Sequence, residues 1–142
     1  MTRARWAALA PAAAVLVAAL TGCGQSAASQ NGANTTCTDS KSNGGVTIVL
    51  ATTPCPIKGG ESANAHITVK DSGGKAVTNA TVKVTTEMPA MNMRGGDQNA
   101  SPSGDGYDTK VVLGMGGDWN VTVQVSGGSV SSASAQFTLS AK

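Results

Sequence analysis

Residues 119–125, Trp-Asn-Val-Thr-Val-Gln-Val, alternate a large apolar side chain with a polar one. A period of two is typical of a β-strand that buries one face and leaves the other in water. We therefore expect Trp119, Val121 and Val123 on the buried face, with Trp119 as a central element of the core. Ser126-Gly127-Gly128 follows directly and has the chemistry of a tight turn, so the next strand should pair with this one as a hairpin.

The same alternation recurs in five other stretches, and turn residues separate them. These stretches are residues 46–51, 64–70, 81–85, 107–113 and 133–139. From residue 45 onward, nothing shows the 3.6-residue period of an amphipathic helix. The pattern predicts an all-β fold, namely a single antiparallel β-sandwich of six to seven strands that is immunoglobulin-like in architecture.

The first residues of the chain belong to export rather than to this fold. Two arginines precede an apolar run that ends in Leu20-Thr21-Gly22-Cys23. The arrangement is typical of a secretory signal peptide, and its last residues resemble the lipobox of bacterial lipoproteins, whose cysteine is lipidated and becomes the new N-terminus. We expect residues 1–22 to be removed and Cys23 to carry the lipid. The alternative is an ordinary signal peptide with a chance cysteine.

Residues 23–44 are rich in Ser, Gly, Asn and Thr, and we expect them to form a flexible tether to a domain at 45–142.

The leader's arginines account for the formal net charge of +2. No basic patch remains, so nucleic acid is not an expected partner. The predicted partner is a membrane, which the lipid on Cys23 contacts. Two acyl chains, such as palmitate, suffice for stable attachment. We expect a location in the bacterial cell envelope, either on the outer face of the cytoplasmic membrane or on the outer membrane.

The remaining cysteines are Cys37 and Cys55. In an exported chain such a pair is most simply a disulfide. The alternative is a cysteine-based metal site, but the sequence has no Cys-x-x-Cys pair. We expect the disulfide.

Catalytic machinery is sparse. His66 is the single histidine, and the phase of its strand points it outward. Asp97, Asp105 and Asp108 fall in or beside one glycine-rich loop, without the spacing of a calcium site. We expect these aspartates to be solvated, and we do not expect an enzyme.

Methionine is the unusual feature of the chain. Met88-Pro-Ala-Met91-Asn-Met93 and Met115 contain every methionine after the leader. Thioether sulfur is a soft ligand suited to Cu(I), and Pro89 should make the first segment turn away from the sheet. If the alternation of their strands continues, Met88 and Met115 point inward. These two methionines could therefore pack in the core, since methionine also fills irregular gaps there. Met91 and Met93 lie beyond the strand, so they are the stronger candidates for ligands.

Several runs, taken in order, resemble the YtkA-like, FixH-related domain over residues 45–140. They are 67–77, 80–84, 88–93, Gly106-Tyr107 and 115–123. The resemblance implies an immunoglobulin-like sandwich outside the cytoplasm. Some relatives handle copper or help to assemble copper-containing respiratory oxidases, which implies a copper-handling or respiratory membrane protein as partner. Relatives of the FixH type usually have a transmembrane anchor, whereas this chain has a lipobox. Histidines often complete such copper sites, and His66 is not obviously placed to do so.

Two functions remain open from the sequence. The first is a lipid-anchored protein that binds Cu(I) through Met88, Met91, Met93 and Met115, as a carrier or buffer. The second is a non-enzymatic interaction module that uses the methionine-rich loop as an apolar contact surface. In either case residues 88–93 and 114–117 should meet at one end of the sandwich, because each segment begins where an inward-phased strand ends.

Overall fold

Eight antiparallel strands form within residues 35–142, the part of the chain that the computed structural model describes. They are β1 (Cys37–Asn43), β2 (Val46–Thr53), β3 (Ser62–Lys70), β4 (Thr81–Met88), β5 (Met93–Ser103), β6 (Gly106–Val112), β7 (Gly117–Gly127) and β8 (Val130–Ala141). One turn of 3-10 helix, Pro89–Met91, links β4 to β5. The predicted leader, the lipidation site Cys23 and the tether up to residue 34 lie outside the described residues.

The strands pair in the order β1-β2-β3-β6-β5-β4-β7-β8. β5 belongs to both halves of the sandwich, because its residues up to Ala100 pair with β4 whereas Ser101–Ser103 pair with β6. The edge strands β1 and β8 then approach each other, and Asn43 Nδ2 donates to the carbonyl of Ser134 at 3.0 Å. This nearly closed antiparallel sheet confirms the predicted all-β sandwich class.

The buried face is the one that the alternation predicts. Trp119, Val121 and Val123 are fully buried, as are Tyr107 and Phe137. β7 and β8 pair as the expected hairpin. Burying aromatic side chains of this size gives a small aliphatic core much of its stabilisation.

Tyr107 also has a polar role. Its hydroxyl donates to the carbonyl of Val77 at 2.9 Å and accepts the N–H of Ala80 at 2.8 Å. These two bonds fix the connection from β3 to β4 over the core, so a single buried side chain satisfies two backbone groups.

Two strands were not predicted. β1 is exposed along its whole length, and β5 has the polar sequence MRGGDQNASPS. Because neither strand buries every second side chain, hydrophobic periodicity does not reveal them. β1 lies inside the stretch 23–44 that was predicted to be a tether, so the predicted domain start at residue 45 is corrected to Cys37.

The disulfide prediction is confirmed. Cys37 is bonded to Cys55, and their Cα atoms lie 5.6 Å apart. The backbone N–H of Cys55 donates to the carbonyl of Thr35 at 2.7 Å. The first described residues are therefore fixed to the segment between β2 and β3. Within residues 35–142, no helix has the length and apolar character needed to cross a bilayer.

Candidate functional site

The methionines lie at one end of the sandwich, which we call the methionine end and define as residues 88–93 and 112–117. β4 ends here and β5 begins here, since Met88 and Met93 form the last pair of their hairpin. β6 also ends here and β7 begins here. The two segments that were expected to meet therefore share one end of the fold.

The β4–β5 connection turns sharply at its tip. Pro89 starts a single 3-10 turn, and Asn92 closes it in the left-handed conformation with φ 48° and ψ 40°. The N–H of Asn92 donates to the carbonyl of Pro89 at 3.2 Å. The turn confirms that the segment leaves the sheet after Pro89, and it puts Met91 at the tip, where its side chain is 61% exposed.

A β-bulge follows the turn. Glu87 pairs with Arg94 and Thr86 pairs with Gly96, so Gly95 is the extra residue. Gly95 packs against Trp119, because a Cβ placed on it would lie 3.0 Å from Trp119 Cζ3. The bulge thus lets the hairpin approach the indole ring closely.

The β6–β7 connection is fixed from two sides. Trp119 Nε1 donates to the carbonyl of Met115 at 3.0 Å. The N–H of Gly60 donates to the carbonyl of Leu113 at 2.7 Å. Gly59 lies so close that a Cβ on it would be 2.7 Å from the carbonyl carbon of Met115. The segment between β2 and β3 therefore positions the backbone of the Met115 loop.

The hairpin and the loop touch through Met88. Its side chain is buried, and its terminal methyl carbon lies 2.5 Å from the position that a Cβ on Gly117 would occupy. Gly117 has φ 129°, which L side chains rarely adopt, so both backbone and space require glycine there. Met88 forms the floor of the methionine end.

The other methionines differ from their predicted positions. The alternation of β6, continued to Met115, predicts a side chain that points inward. Met115 is instead 37% exposed, because β6 ends at Val112 and the chain turns outward after Leu113. Met93, which the sequence places beyond the end of its strand, begins the next strand, β5, and packs half-buried against the core. Among residues 35–142, the exposed large apolar side chains are Met91, Val112 and Met115. Sequence reasoning missed Val112, although it breaks the alternation beside Val111.

An ionic network holds the hairpin. Lys83 Nζ lies 2.8 Å from Asp97 Oδ2, and Arg94 Nη2 donates to Asp97 Oδ1 at 2.9 Å. Thr85 Oγ1 donates to the same oxygen at 3.0 Å. Hydrogen bonds from Lys83 and then Arg94 hold the pKa of Asp97 well below its ordinary value. Asp97 was expected in a solvated loop, but it lies in β5 and ties that strand to β4.

His66 lies elsewhere. Its Nδ1 is 2.6 Å from Asp108 Oδ1, and its Nε2 is 3.6 Å from Asp105 in the β5–β6 turn, at the end of the sandwich opposite the methionines. Hydrogen bonds from Ser103 and then His66 lower the pKa of Asp108. In the described part of the chain, no group of three His, Cys, Asp or Glu side chains could hold a metal ion.

A model of one protein family, described as YtkA-like, matches residues 40–124. No curated protein gives a significant match to the chain, and neither does any solved structure. The matched range begins within β1 and ends within β7, so it contains both methionine segments.

Proposed function

The chain belongs to the YtkA-like family, and we propose that it is an exported, lipid-anchored protein that binds Cu(I) at the methionine end as a carrier or buffer. In this proposal Met91, Met93 and Met115 supply the thioether ligands and Met88 packs beneath them. The protein performs no chemical transformation; copper is its cargo. The lipid on Cys23 holds it at the bacterial cell envelope, where a copper-handling or respiratory membrane protein would exchange the metal.

The observation that carries this proposal is that two methionine segments, which β5 and β6 separate in the sequence, lie at one end of the sandwich. Met91 and Met115 are exposed at the same end, and Met93 starts the strand that follows Met91. Thioethers prefer soft Cu(I) to hard cations. They need not lose a proton, and they form no disulfides in an oxidising compartment, where thiols would.

A second candidate function follows from the exposed apolar side chains of this end. Met91 and Met115 are exposed within residues 35–142, and methionine adapts well to varied partner surfaces. In this alternative, the methionine end is the contact surface of a protein-interaction module and binds no metal.

A Cu(I) competition titration against a chromophoric chelator separates the two candidates. Replacing Met91 and Met115 together with leucine removes both sulfurs while retaining similar volume and apolar character. We expect wild-type protein to bind Cu(I) at about 1:1, and the double variant to bind at least about tenfold more weakly, which corresponds to ~1.4 kcal/mol.

Met88→Leu is the matched control, because it removes a buried sulfur and leaves the exposed ones in place. Its Cu(I) affinity should equal that of wild type. Wild-type affinity in the Met91→Leu/Met115→Leu variant refutes ligation by these thioethers. The interaction module then remains, and Met91→Ser/Met115→Ser should abolish its apolar contact while the leucine pair preserves it.

A further inference from the structure

The described chain starts at the methionine end. Thr35 accepts a hydrogen bond from Cys55, and the Cys37–Cys55 disulfide holds the start of β1 beside the end of β2. The end of β2 and the beginning of β3 lie at the same end as the last residues of β6, since Ser62 pairs with Val112. Thr35, from which the sequence runs back towards Cys23, therefore lies at the same end of the sandwich as the exposed methionines.

Even when fully extended, the connection is only about as long as the domain. Twelve residue steps separate Cys23 from Thr35 in the sequence, so they reach at most about 43 Å at ~3.6 Å per step. The longest strand, β8, has 12 residues and spans about 40 Å at ~3.3 Å per residue. With the opposite end towards the membrane, the connection would have to be almost fully extended, at a large cost in conformational entropy. The methionine end facing the membrane requires no such extension.

The two ends also differ in surface chemistry. Within residues 35–142, the exposed large apolar side chains, Met91, Val112 and Met115, all lie at the methionine end. The turns at the opposite end consist mainly of glycine and polar residues, as in Asp71–Lys75 and Ser126–Ser129. Charged residues of both signs lie at this end of the sandwich, in or next to the strand ends: Lys58, Arg94 and Lys142 with Glu61, Glu87 and Asp118. Because these positive and negative charges balance, this end of the sandwich is neither strongly attracted to nor repelled by a membrane surface that carries anionic lipids.

We propose that the methionine end docks on the surface of the lipid bilayer, with Met91, Val112 and Met115 against the acyl-chain boundary. This inference rests on the lipid anchor of the proposed function. Because the anchor confines the domain close to the bilayer, a small apolar contact suffices to orient it, as in other linked binding events. Docking covers the proposed copper ligands, so the domain must lift off the bilayer before these thioethers can take up metal.

Hydrogen exchange read by mass spectrometry tests this orientation in the absence of copper. The mature lipidated protein is reconstituted into phosphatidylcholine vesicles and compared with the Cys23→Ser protein mixed with the same vesicles. We expect slower exchange at residues 89–92 and 113–117 of the lipidated protein, and unchanged exchange at 71–80 and 126–130. Met91→Ser/Met115→Ser, which changes only exposed side chains, should remain bound to vesicles and lose the protection.

Flotation of the same samples separates the possible failures. Lipidated protein that floats with the vesicles but shows no protection at the methionine end overturns the docking and leaves the anchor standing. Lipidated protein that does not float overturns both. Protection that appears on native membranes and not on pure lipid identifies a membrane protein as the occupant, and it also overturns docking on the bilayer. None of these outcomes depends on whether the protein binds copper.

Discussion

Replacing Gly95 with alanine should destabilise the protein, because the bulge at this position leaves no room for a methyl group. The added Cβ would lie 3.0 Å from Trp119 Cζ3 and 3.3 Å from Thr86 Cβ, and it would overlap Thr86 Oγ1. Neither neighbour can easily move: Trp119 is fully buried and hydrogen-bonded to Met115, and Thr86 is also buried. Overpacking of this kind costs about 1–3 kcal/mol, and we expect a value in the upper half of that range.

Gly114→Ala is the matched control. Gly114 also faces the indole, but its added Cβ would lie 3.9 Å from Trp119 Cη2, an ordinary van der Waals contact. Its φ lies outside the left-handed region, so alanine introduces no backbone strain. We expect a change in stability within about 0.5 kcal/mol, or a slight gain from the smaller entropy of the unfolded chain.

Urea unfolding followed by far-ultraviolet circular dichroism and by Trp119 fluorescence measures both variants. Gly95→Ala should lower the midpoint with an unchanged m-value, since the surface exposed on unfolding stays the same. If Gly95→Ala is as stable as wild type, or if both alanine variants lose the same stability, then the close packing of the hairpin on Trp119 is wrong.

Three further predictions concern parts of the fold that support the methionine end. Tyr107→Phe should cost about 1–3 kcal/mol in urea unfolding, because it leaves the N–H of Ala80 without its acceptor; an unchanged midpoint would contradict this role. Asp97 has a lowered pKa in the folded state, so its contribution to stability is present above pH ~4 and disappears as the pH falls towards the folded pKa. Asp97→Asn should therefore flatten the loss of stability between pH 4 and pH 2, and parallel curves for variant and wild type would contradict that. Replacing Cys37 and Cys55 with serine should lower the free energy of unfolding by about 3 kcal/mol, as expected for a closed loop of this length. If the unfolding midpoint of the wild-type protein is the same with and without reductant, this prediction is wrong.

The sequence predicts those parts of the fold whose strands have one buried face. The alternation around Trp119 locates β7, and similar patterns locate β2, β3, β4, β6 and β8. β1 pairs along the polar edge of the sheet with no buried side chain, and β5 changes partners midway. Backbone pairing stabilises both strands, and it leaves no hydrophobic period in the sequence.

The positions of the side chains at the methionine end cannot be predicted from the alternation of the strands alone, because they also depend on where each strand ends and how the chain turns. Met88 keeps the phase of β4 and is buried. Met115 does not keep the phase of β6, because the strand ends at Val112 and the chain turns outward after the buried Leu113. Met93 regains a place in the sheet through the turn after Pro89, which fixes the register of β5. The ends of strands are the part of a strand that sequence patterns predict least well, so the positions of the residues just beyond them are also hard to predict.

The most direct test of the copper proposal is copper K-edge X-ray absorption of the mature protein loaded with one equivalent of Cu(I). We predict a first shell that contains sulfur and neither nitrogen nor oxygen. This shell should lose sulfur in the Met91→Leu/Met115→Leu variant and remain intact in Met88→Leu. A nitrogen or oxygen shell in wild type, or an unchanged sulfur shell after Met91 and Met115 are replaced, would contradict thioether ligation at the methionine end.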